Sequence, residues 1–307
     1  TTPDMTRTAL LSLLIGTASL CATAQTRYLD KIFSEAQITV TSDVTYGTNV
    51  DWLTSDFSTV PPTINTTDVK FDVYQPDQTV DTETARPVII YLHTGNLLPP
   101  PVNGSPTGLK TDSSAIYICR EMARRGYVAI SCQYRGGWNP LAPTESERKA
   151  QLLNAVYRAI HDVKQCVRTL RENEDAGGNI YHIDPSKFTL WGEGTGGYIA
   201  LADVTLNDPL ELYIPKFRPD ILDPTVSYVD SNLVGNIDGY CPDGIPCLSF
   251  YQPNGYSSDV QMCVNMGGAL ADTSWLDDGD VPMVTMHTVR DDFAPFNSGR
   301  VVVPVTG

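Results

Sequence analysis

Apolar segments alternate with segments of helical periodicity through the middle of this chain, and this alternation constrains its fold more than any other feature. Residues 87–94 (PVIIYLHT), 127–135 (YVAISCQYR) and 187–192 (KFTLWG) are largely apolar runs, typical of strands buried on both faces. A helical pattern follows each run, and the pattern over residues 145–171 carries one apolar stripe: Leu152, Val156, Ile160, Val163, Val167 and Leu170. Strand and helix repeated in this order predict a parallel sheet with helices on both faces.

Other strand-like segments flank this core. Residues 37–46 and 68–76 alternate polar and apolar side chains and predict an antiparallel pair at the start of the fold. Residues 260–268 and 281–292 predict two more buried strands. Between about residues 207 and 260 the periodicity fades into sequence rich in Pro, Asp and Gly, which predicts an irregular insertion. We expect residues 25–307 to form one α/β domain.

Length and charge narrow the classes of function. The chain has 307 residues and a formal net charge of −15 at pH 7. A nucleic acid or an anionic membrane attracts clustered Lys and Arg, so this charge argues against both as partners.

The N-terminus has the pattern of an export signal. Residues 5–24 contain the basic Arg7, an apolar stretch, and an A-x-A cleavage pattern that ends at Ala24. The apolar stretch is much shorter than the roughly 20 residues of a membrane span. We therefore predict a secreted or periplasmic protein that begins at Gln25, with residues 1–4 as upstream sequence. Cys21 leaves lipidation as a minor alternative.

Six cysteines follow the predicted signal: Cys119, Cys132, Cys166, Cys241, Cys247 and Cys263. An even count in an exported chain predicts at least one disulfide, and the segment CPDGIPC makes Cys241 and Cys247 the best local candidates. Cys132 lies in an apolar strand segment, where a free buried thiol is the alternative. The cysteine and histidine spacings do not suggest zinc, and we predict no metal and no cofactor.

The segment WGEGTGGYIAL at residues 191–201 predicts a strand, a tight glycine turn and a helix. Gly192, Gly194 and Gly197 match the G-x-G-x-x-G pattern of dinucleotide-binding loops. That pattern normally belongs to the first strand–helix unit of its domain, whereas two units precede it here. The G-x-S-x-G nucleophile elbow of esterases fits the context better, although glycine stands at its centre.

The segments YLHTGN, GYVAISCQYRGG, WGEGTGG and HTVRDDFAP occur in the order of the matching landmarks in carboxylesterases. The chain resembles the secreted carboxylesterase and lipase branch of the α/β-hydrolase family over about residues 68–296. LHTGN is close to the family's His-Gly-Gly-Gly oxyanion loop, and WGEGTGG is close to its W-G-E-S-A-G-G elbow. The resemblance implies an α/β-hydrolase fold and ancestral hydrolysis of carboxylic esters.

The resemblance also implies roles for particular residues. Gly194 occupies the nucleophile position, where the family has serine. Gly95 and Thr195 would supply the backbone N–H groups of the oxyanion hole. Asp291 matches the catalytic acid, with Asp292 one residue beyond the matching place, and a solvated loop is the alternative for both.

Two departures leave the function open between an enzyme and a binding protein. Gly194 has no side chain to form an acyl-enzyme. The histidines His93, His161, His182 and His287 all precede the acid, whereas the family's catalytic His follows it, so we expect the C-terminal part of the domain to be missing. The chain either hydrolyses esters without an acyl-serine or binds a ligand, a small carboxylic ester or a protein or glycan, without catalysis.

Overall fold

The computed structural model describes residues 26–301, which form one central sheet with helices packed against it. The sheet has seven strands: β1 Ile38–Val50, β2 Thr66–Pro76, β3 Arg86–Leu92, β4 Val128–Cys132, β5 Ile183–Glu193, β6 Met262–Met266 and β7 Met283–Met286. The helices are α1 Pro100–Asn103, α2 Ser113–Ala123, α3 Glu145–Asp175, α4 Thr195–Thr205 and α5 Ser231–Val234. Single 3₁₀ turns lie at Glu35–Gln37, Pro209–Tyr213, Pro215–Phe217 and Thr273–Trp275.

The strand order across the sheet is β1-β2-β4-β3-β5-β6-β7. Strand β2 is antiparallel to both β1 and β4, and every pairing from β4 through β3, β5 and β6 to β7 is parallel. This mostly parallel sheet, with a reversed pair at one side and helices as connections, confirms the predicted α/β-hydrolase fold. The predicted antiparallel start is also confirmed.

The side chains of β3 show how the two faces of the sheet are covered. Val88, Ile90 and Leu92 belong to the large core formed with α3 and α4, whereas Tyr91 packs on the other face with Cys119 of α2. Successive side chains of a strand point to opposite faces, so a strand covered on both sides is apolar throughout. That is why the run over residues 87–94 identified a central strand.

Helix α3 begins with a capping box. The Thr144 hydroxyl accepts the N–H of Glu147 at 3.2 Å, and the Glu147 carboxylate accepts the N–H of Thr144 at 2.9 Å. This arrangement satisfies N–H groups that a helix start leaves without partners. The helix then packs its apolar stripe, including the fully buried Val163, Val167 and Leu170, against the sheet.

Strand β7 corrects one expectation. The sequence predicted a buried strand over residues 281–292, but β7 spans only Met283–Met286 and its residues are half-buried to exposed, with Val284 44% exposed. It lies at the edge of the described sheet and pairs with β6 on one side. Apolar sequence alone does not distinguish such an edge strand from a central one.

The insertion over residues 207–260 is irregular, as predicted, and contains α5 and two of the 3₁₀ turns. It also contains the predicted disulfide: Cys241 and Cys247 are bonded, with their Cα atoms 5.4 Å apart. Cys119, Cys132, Cys166 and Cys263 are free and buried.

The predicted export signal, with Cys21, lies outside the described residues. Across residues 26–301, no helix has the length and apolar character to cross a membrane.

Candidate active site

The three segments that the resemblance marks as functional meet at one edge of the sheet. The oxyanion loop, residues 93–96, follows β3; the glycine turn at Gly194 follows β5; and a third loop, residues 287–294, follows β7. Strands β3, β5 and β7 are parallel, so their carboxyl ends lie at the same edge. In open α/β sheets this edge is where ligands bind.

Gly194 connects β5 directly to α4 in a conformation that side chains strongly disfavour. Its φ is 52° and its ψ is −113°, outside the ordinary left-handed helical region. Its N–H donates to the carbonyl of Met266 on β6 at 2.7 Å, which fixes the turn against the sheet. The sharp strand-to-helix geometry of a nucleophile elbow is therefore present, with glycine at its apex.

Gly197, the third glycine of the possible dinucleotide fingerprint, lies where α4 meets β6. A Cβ at Gly197 would lie 2.2 Å from Oδ1 of Asn265 and 2.9 Å from the backbone nitrogen of Gly268. The close contact between α4 and β6 thus explains why residue 197 is glycine. Its place in the fold, after the third parallel strand, matches an elbow.

Thr94 fills the space beside the apex of the elbow. A Cβ on residue 194 would lie 2.4 Å from Oγ1 of Thr94 and 3.1 Å from its Cβ. Heavy atoms without a bond between them do not approach so closely, so a side chain at position 194 would require the Thr94 side chain to shift. The oxyanion loop of this chain thus packs closely against Gly194.

The Thr94 hydroxyl and the Thr195 hydroxyl also engage backbone N–H groups at this site. The N–H of Thr195 points to Oγ1 of Thr94 at 3.5 Å, a weak contact, and the N–H of Asn96 donates to Oγ1 of Thr195 at 2.8 Å. The structure thus brings the predicted oxyanion residues Gly95 and Thr195 into neighbouring segments. The Thr195 N–H, one of the two predicted oxyanion donors, faces a hydroxyl of the protein itself.

Glu193, beside the apex, points away from this site. Its Oε2 accepts hydrogen bonds from the hydroxyl of Tyr91 and, at 2.8 Å, from the hydroxyl of Ser114 in α2. Burial, followed by the contact with Glu193, raises the pKa of Tyr91 far above its usual value. Glu193 therefore anchors the elbow to the face of the sheet covered by α2.

Asp291 lies in the loop that follows β7. Its Oδ1 accepts the N–H groups of Phe293 and Ala294, both at 2.8 Å, and these bonds lower its pKa. Burial, followed by the charge of Asp291, raises the pKa of Tyr198 on α4 to about 12. Asp291 is thus ionised, and its loop follows β7 at the same edge of the sheet as the turn at Gly194.

Three of the four histidines hold structural positions or lie away from the elbow. His287 donates from Nε2 to the carbonyl of Ala294 at 2.7 Å and lies 3.7 Å from Oδ2 of Asp291, so it braces the loop of residues 287–294. His161 is fully buried in α3 against Tyr157. His182 precedes β5 at the opposite edge of the sheet. His93 is the one that belongs to the oxyanion loop.

A cavity of about 120 Å³ lies beside the oxyanion loop; we call it the His93 cavity. Its wall is mostly apolar and is formed by His93 together with Leu53, Leu97, Leu98, Pro99 and Leu109 among others. Thr94 and Gly95 also line it, so the cavity adjoins the predicted oxyanion hole. Sequence reasoning did not find it, because its wall comes from the loops after β1, β3 and β4.

Sequence reasoning also missed the role of Thr94. The signal was present, since LHTGN has threonine where the family's loop has glycine, and WGEGTGG has glycine where the elbow has serine. The two departures lie 100 residues apart in the chain and meet in the fold. Within residues 26–301, no group of three or more His, Cys, Asp or Glu side chains could hold a metal ion.

Comparison with known proteins finds similar structures but no similar sequence. No protein-family model and no curated protein matches the sequence. Among solved structures, esterase 2 of Thermogutta terrifontis phosphoramylated by tabun is 16% identical, with a TM-score of 0.48 over 86% of this chain and 76% of the esterase. Its native form is 18% identical, with a TM-score of 0.45 over 75% of this chain and 69% of the esterase. The strand order and the turn at Gly194 establish the fold independently of these similarities.

Proposed function

We propose that this chain is an exported, carboxylesterase-like α/β-hydrolase that has lost acyl transfer at position 194 and now binds a ligand at the former active site. One observation carries the proposal: the Thr94 side chain occupies the space that a side chain at 194 would need. If the space beside Gly194 were empty, the single substitution Gly194→Ser would restore the side chain of the nucleophile elbow. Because Thr94 fills this space, we infer that the site has adapted to the absence of a nucleophile.

The surroundings of the elbow support the same proposal. An oxyanion hole stabilises a tetrahedral intermediate only when its donors are free for the substrate oxygen. Here the N–H of Thr195 faces the Thr94 hydroxyl, and among the described residues no histidine contacts the elbow apex by hydrogen bond. The fold, the loop of residues 287–294 and the His93 cavity remain, and these suit recognition of a small molecule.

Four forms of the full-length exported protein test the proposal: the parent, Gly194→Ser, Thr94→Gly and the double variant. Each is assayed for hydrolysis of a short acyl ester and for covalent labelling by a fluorophosphonate. We expect neither turnover nor labelling in the parent and in Thr94→Gly, because both lack a nucleophile. The serine of Gly194→Ser is crowded by Thr94, so labelling should be stronger in the double variant.

Turnover by the parent protein would contradict the proposal and favour ester hydrolysis without an acyl-serine, for example by a water molecule. Equal labelling of Gly194→Ser and the double variant would show that Thr94 does not obstruct position 194. Thr94→Gly is the matched control, because it opens the same space without adding a nucleophile.

A further inference from the structure

Two buried thiols meet where α3 packs on the sheet. Cys132 ends β4 and Cys166 lies in α3, and both side chains are 0% exposed within the large core. The two thiols form a hydrogen bond, and burial followed by this bond raises the pKa of Cys166 well above its usual value. The fold therefore holds two free cysteines from different elements in direct contact.

Tyr46 of β1 bridges the strand and the helix that carry these cysteines. Its hydroxyl oxygen lies 3.6 Å from Sγ of Cys132. Its backbone carbonyl accepts the hydroxyl of Thr169 at 3.1 Å, and Thr169 lies one turn after Cys166 on the same side of α3. The contact between the two thiols thus belongs to a packed junction of β1, β4 and α3.

The other two free cysteines lie elsewhere in the fold. Cys119 belongs to the cluster on the opposite face of the sheet. Cys263 lies on β6, and β3 and β5 separate that strand from β4. Neighbouring strands lie about 4.8 Å apart, so β4 and β6 are about 14 Å apart, well beyond the roughly 7 Å that the Cα atoms of a disulfide can span. Within residues 26–301, Cys166 is therefore the free cysteine in reach of Cys132.

We propose that Cys132 and Cys166 form a second disulfide when the chain folds in an oxidising compartment, and that this bond ties the end of β4 to α3. The structure describes the reduced form of the pair. An exported chain enters such a compartment as it folds, and disulfides persist there. The inference rests on the proposed export and is independent of the proposed loss of catalysis.

The reaction is a thiol–disulfide exchange with a disulfide oxidant, for example oxidised glutathione. The thiolate of one cysteine attacks a sulfur of the oxidant, forms a mixed disulfide and releases one glutathione thiolate. The thiolate of the second cysteine then attacks the protein sulfur of the mixed disulfide and releases the other glutathione. The two cysteines lose two protons and two electrons, and glutathione takes up both and leaves as two thiols. Because burial raises the pKa of Cys166, we expect the exchange before the core closes.

The cross-link would close a loop that contributes to the candidate site. Residues 133–165 lie between the two cysteines, and Gly136 in this segment lines the His93 cavity. Trp138, in the same segment, donates from Nε1 to the carbonyl of Asn96 at 2.8 Å and so supports the oxyanion loop. A disulfide that closes this loop removes entropy from the unfolded chain and thereby favours the folded state.

Peptide mapping tests the pairing, with Cys241 and Cys247 as an internal reference. The reduced full-length chain is refolded in a glutathione buffer until these two are joined, and the remaining thiols are then blocked with N-ethylmaleimide in denaturant. Mass spectrometry of an unreduced digest should show a cross-linked peptide pair that contains Cys132 and Cys166. The peptides of the other two free cysteines should carry the blocking group. A blocking group on both Cys132 and Cys166, or a different partner for either, would overturn the inference.

Urea unfolding provides a second test in the variant Cys241→Ser/Cys247→Ser, which lacks the first disulfide. Its unfolding midpoint should fall by about 1 M urea when a reductant opens the second one. Adding Cys166→Ala should abolish this redox effect, whereas adding Cys263→Ala, the same exchange at another buried cysteine, should preserve it. A midpoint of Cys241→Ser/Cys247→Ser that does not respond to the reductant would contradict the second disulfide.

The outcomes separate this inference from the proposed function. Blocked thiols at Cys132 and Cys166 rule out the second disulfide, even if the parent protein is exported and lacks esterase activity. A joined pair together with ester turnover by the parent leaves the disulfide in place and contradicts the proposed loss of catalysis. The peptide map of the parent protein needs no variant to fold.

Discussion

Oγ1 of Thr94 lies 2.4 Å from the position that a Cβ of residue 194 would occupy, so the oxyanion loop and the elbow share one small volume. The contact links a residue after β3 to a residue after β5 at the edge where the parallel strands end. Substitutions at either residue should therefore depend on the identity of the other.

Gly194→Ala should destabilise the protein by about 2 kcal/mol or more. The φ of 52° and ψ of −113° strain any residue with a Cβ, and the contact with Thr94 adds to that strain. Adding Thr94→Gly to the Gly194→Ala variant removes the steric contact but leaves the backbone strain at residue 194. The double variant should therefore regain part of the lost stability. Urea unfolding of the four proteins measures this coupling, which we expect to be about 1 kcal/mol. Strictly additive effects would contradict the shared volume.

Breaking the buried ion pair of Arg135 and Asp162 should strongly destabilise the protein. Its closest N–O distance is 2.7 Å, the two side chains are 4% and 0% exposed, and the Tyr251 hydroxyl also donates to Asp162 at 2.7 Å. Asp162→Ala leaves a buried guanidinium without its partner and should cost about 3–5 kcal/mol, measured by urea unfolding.

The exposed pair of Lys149 and Glu145 in the same helix is the matched control for that measurement. Lys149→Ala should change the free energy of unfolding by less than about 0.5 kcal/mol, because water screens the pair. If Asp162→Ala and Lys149→Ala lowered the free energy of unfolding equally, burial would not explain the cost of breaking the Arg135–Asp162 pair.

Asp203 should make the stability of the protein depend on pH. Burial raises its pKa from 3.8 to about 6, so the folded state binds the proton more tightly than the unfolded chain does. Its contribution to the free energy of unfolding is fully present below about pH 4 and is lost as the pH rises to about 6.

The variant Asp203→Asn isolates this contribution. Relative to the parent, the variant should gain stability between pH 4 and pH 7, by up to about 3 kcal/mol, as measured by urea unfolding across that range. A difference between the two proteins that stays constant with pH would contradict the raised pKa.

Removing the disulfide between Cys241 and Cys247 should lower the free energy of unfolding by about 2 kcal/mol, because it closes a short loop in the unfolded chain. The double variant Cys241→Ser/Cys247→Ser is compared with the oxidised parent by urea unfolding. In the presence of a reductant the two proteins should converge, and a difference that persists would assign the effect to the substitutions themselves.

The sequence was sufficient to predict the central strands and the long helices. Residues buried on both faces of β3 and the apolar stripe of α3 are determined by local periodicity, which is visible without the fold. The exposure of β7 could not be predicted in this way, because it depends on which strands lie beside it.

The site was predictable only in part, for a related physical reason. The elbow and the loops near Gly95 and Asp291 occur in short continuous motifs, so pattern comparison finds them. The crowding between Thr94 and position 194 depends on contacts between segments that are distant in the chain. Such contacts carry no periodic signal.

The close approach of Thr94 to Gly194 also bears on the order in which the two substitutions would have occurred under the proposed function. If an ancestor had glycine at 94 and serine at 194, threonine at position 94 would have been more costly while the serine was present, since the two side chains would crowd the same space. Once threonine is present, restoring serine alone meets a steric barrier, and restoring glycine at 94 alone yields no nucleophile. Efficient catalysis at this elbow would therefore need both substitutions, because neither alone gives an uncrowded nucleophile.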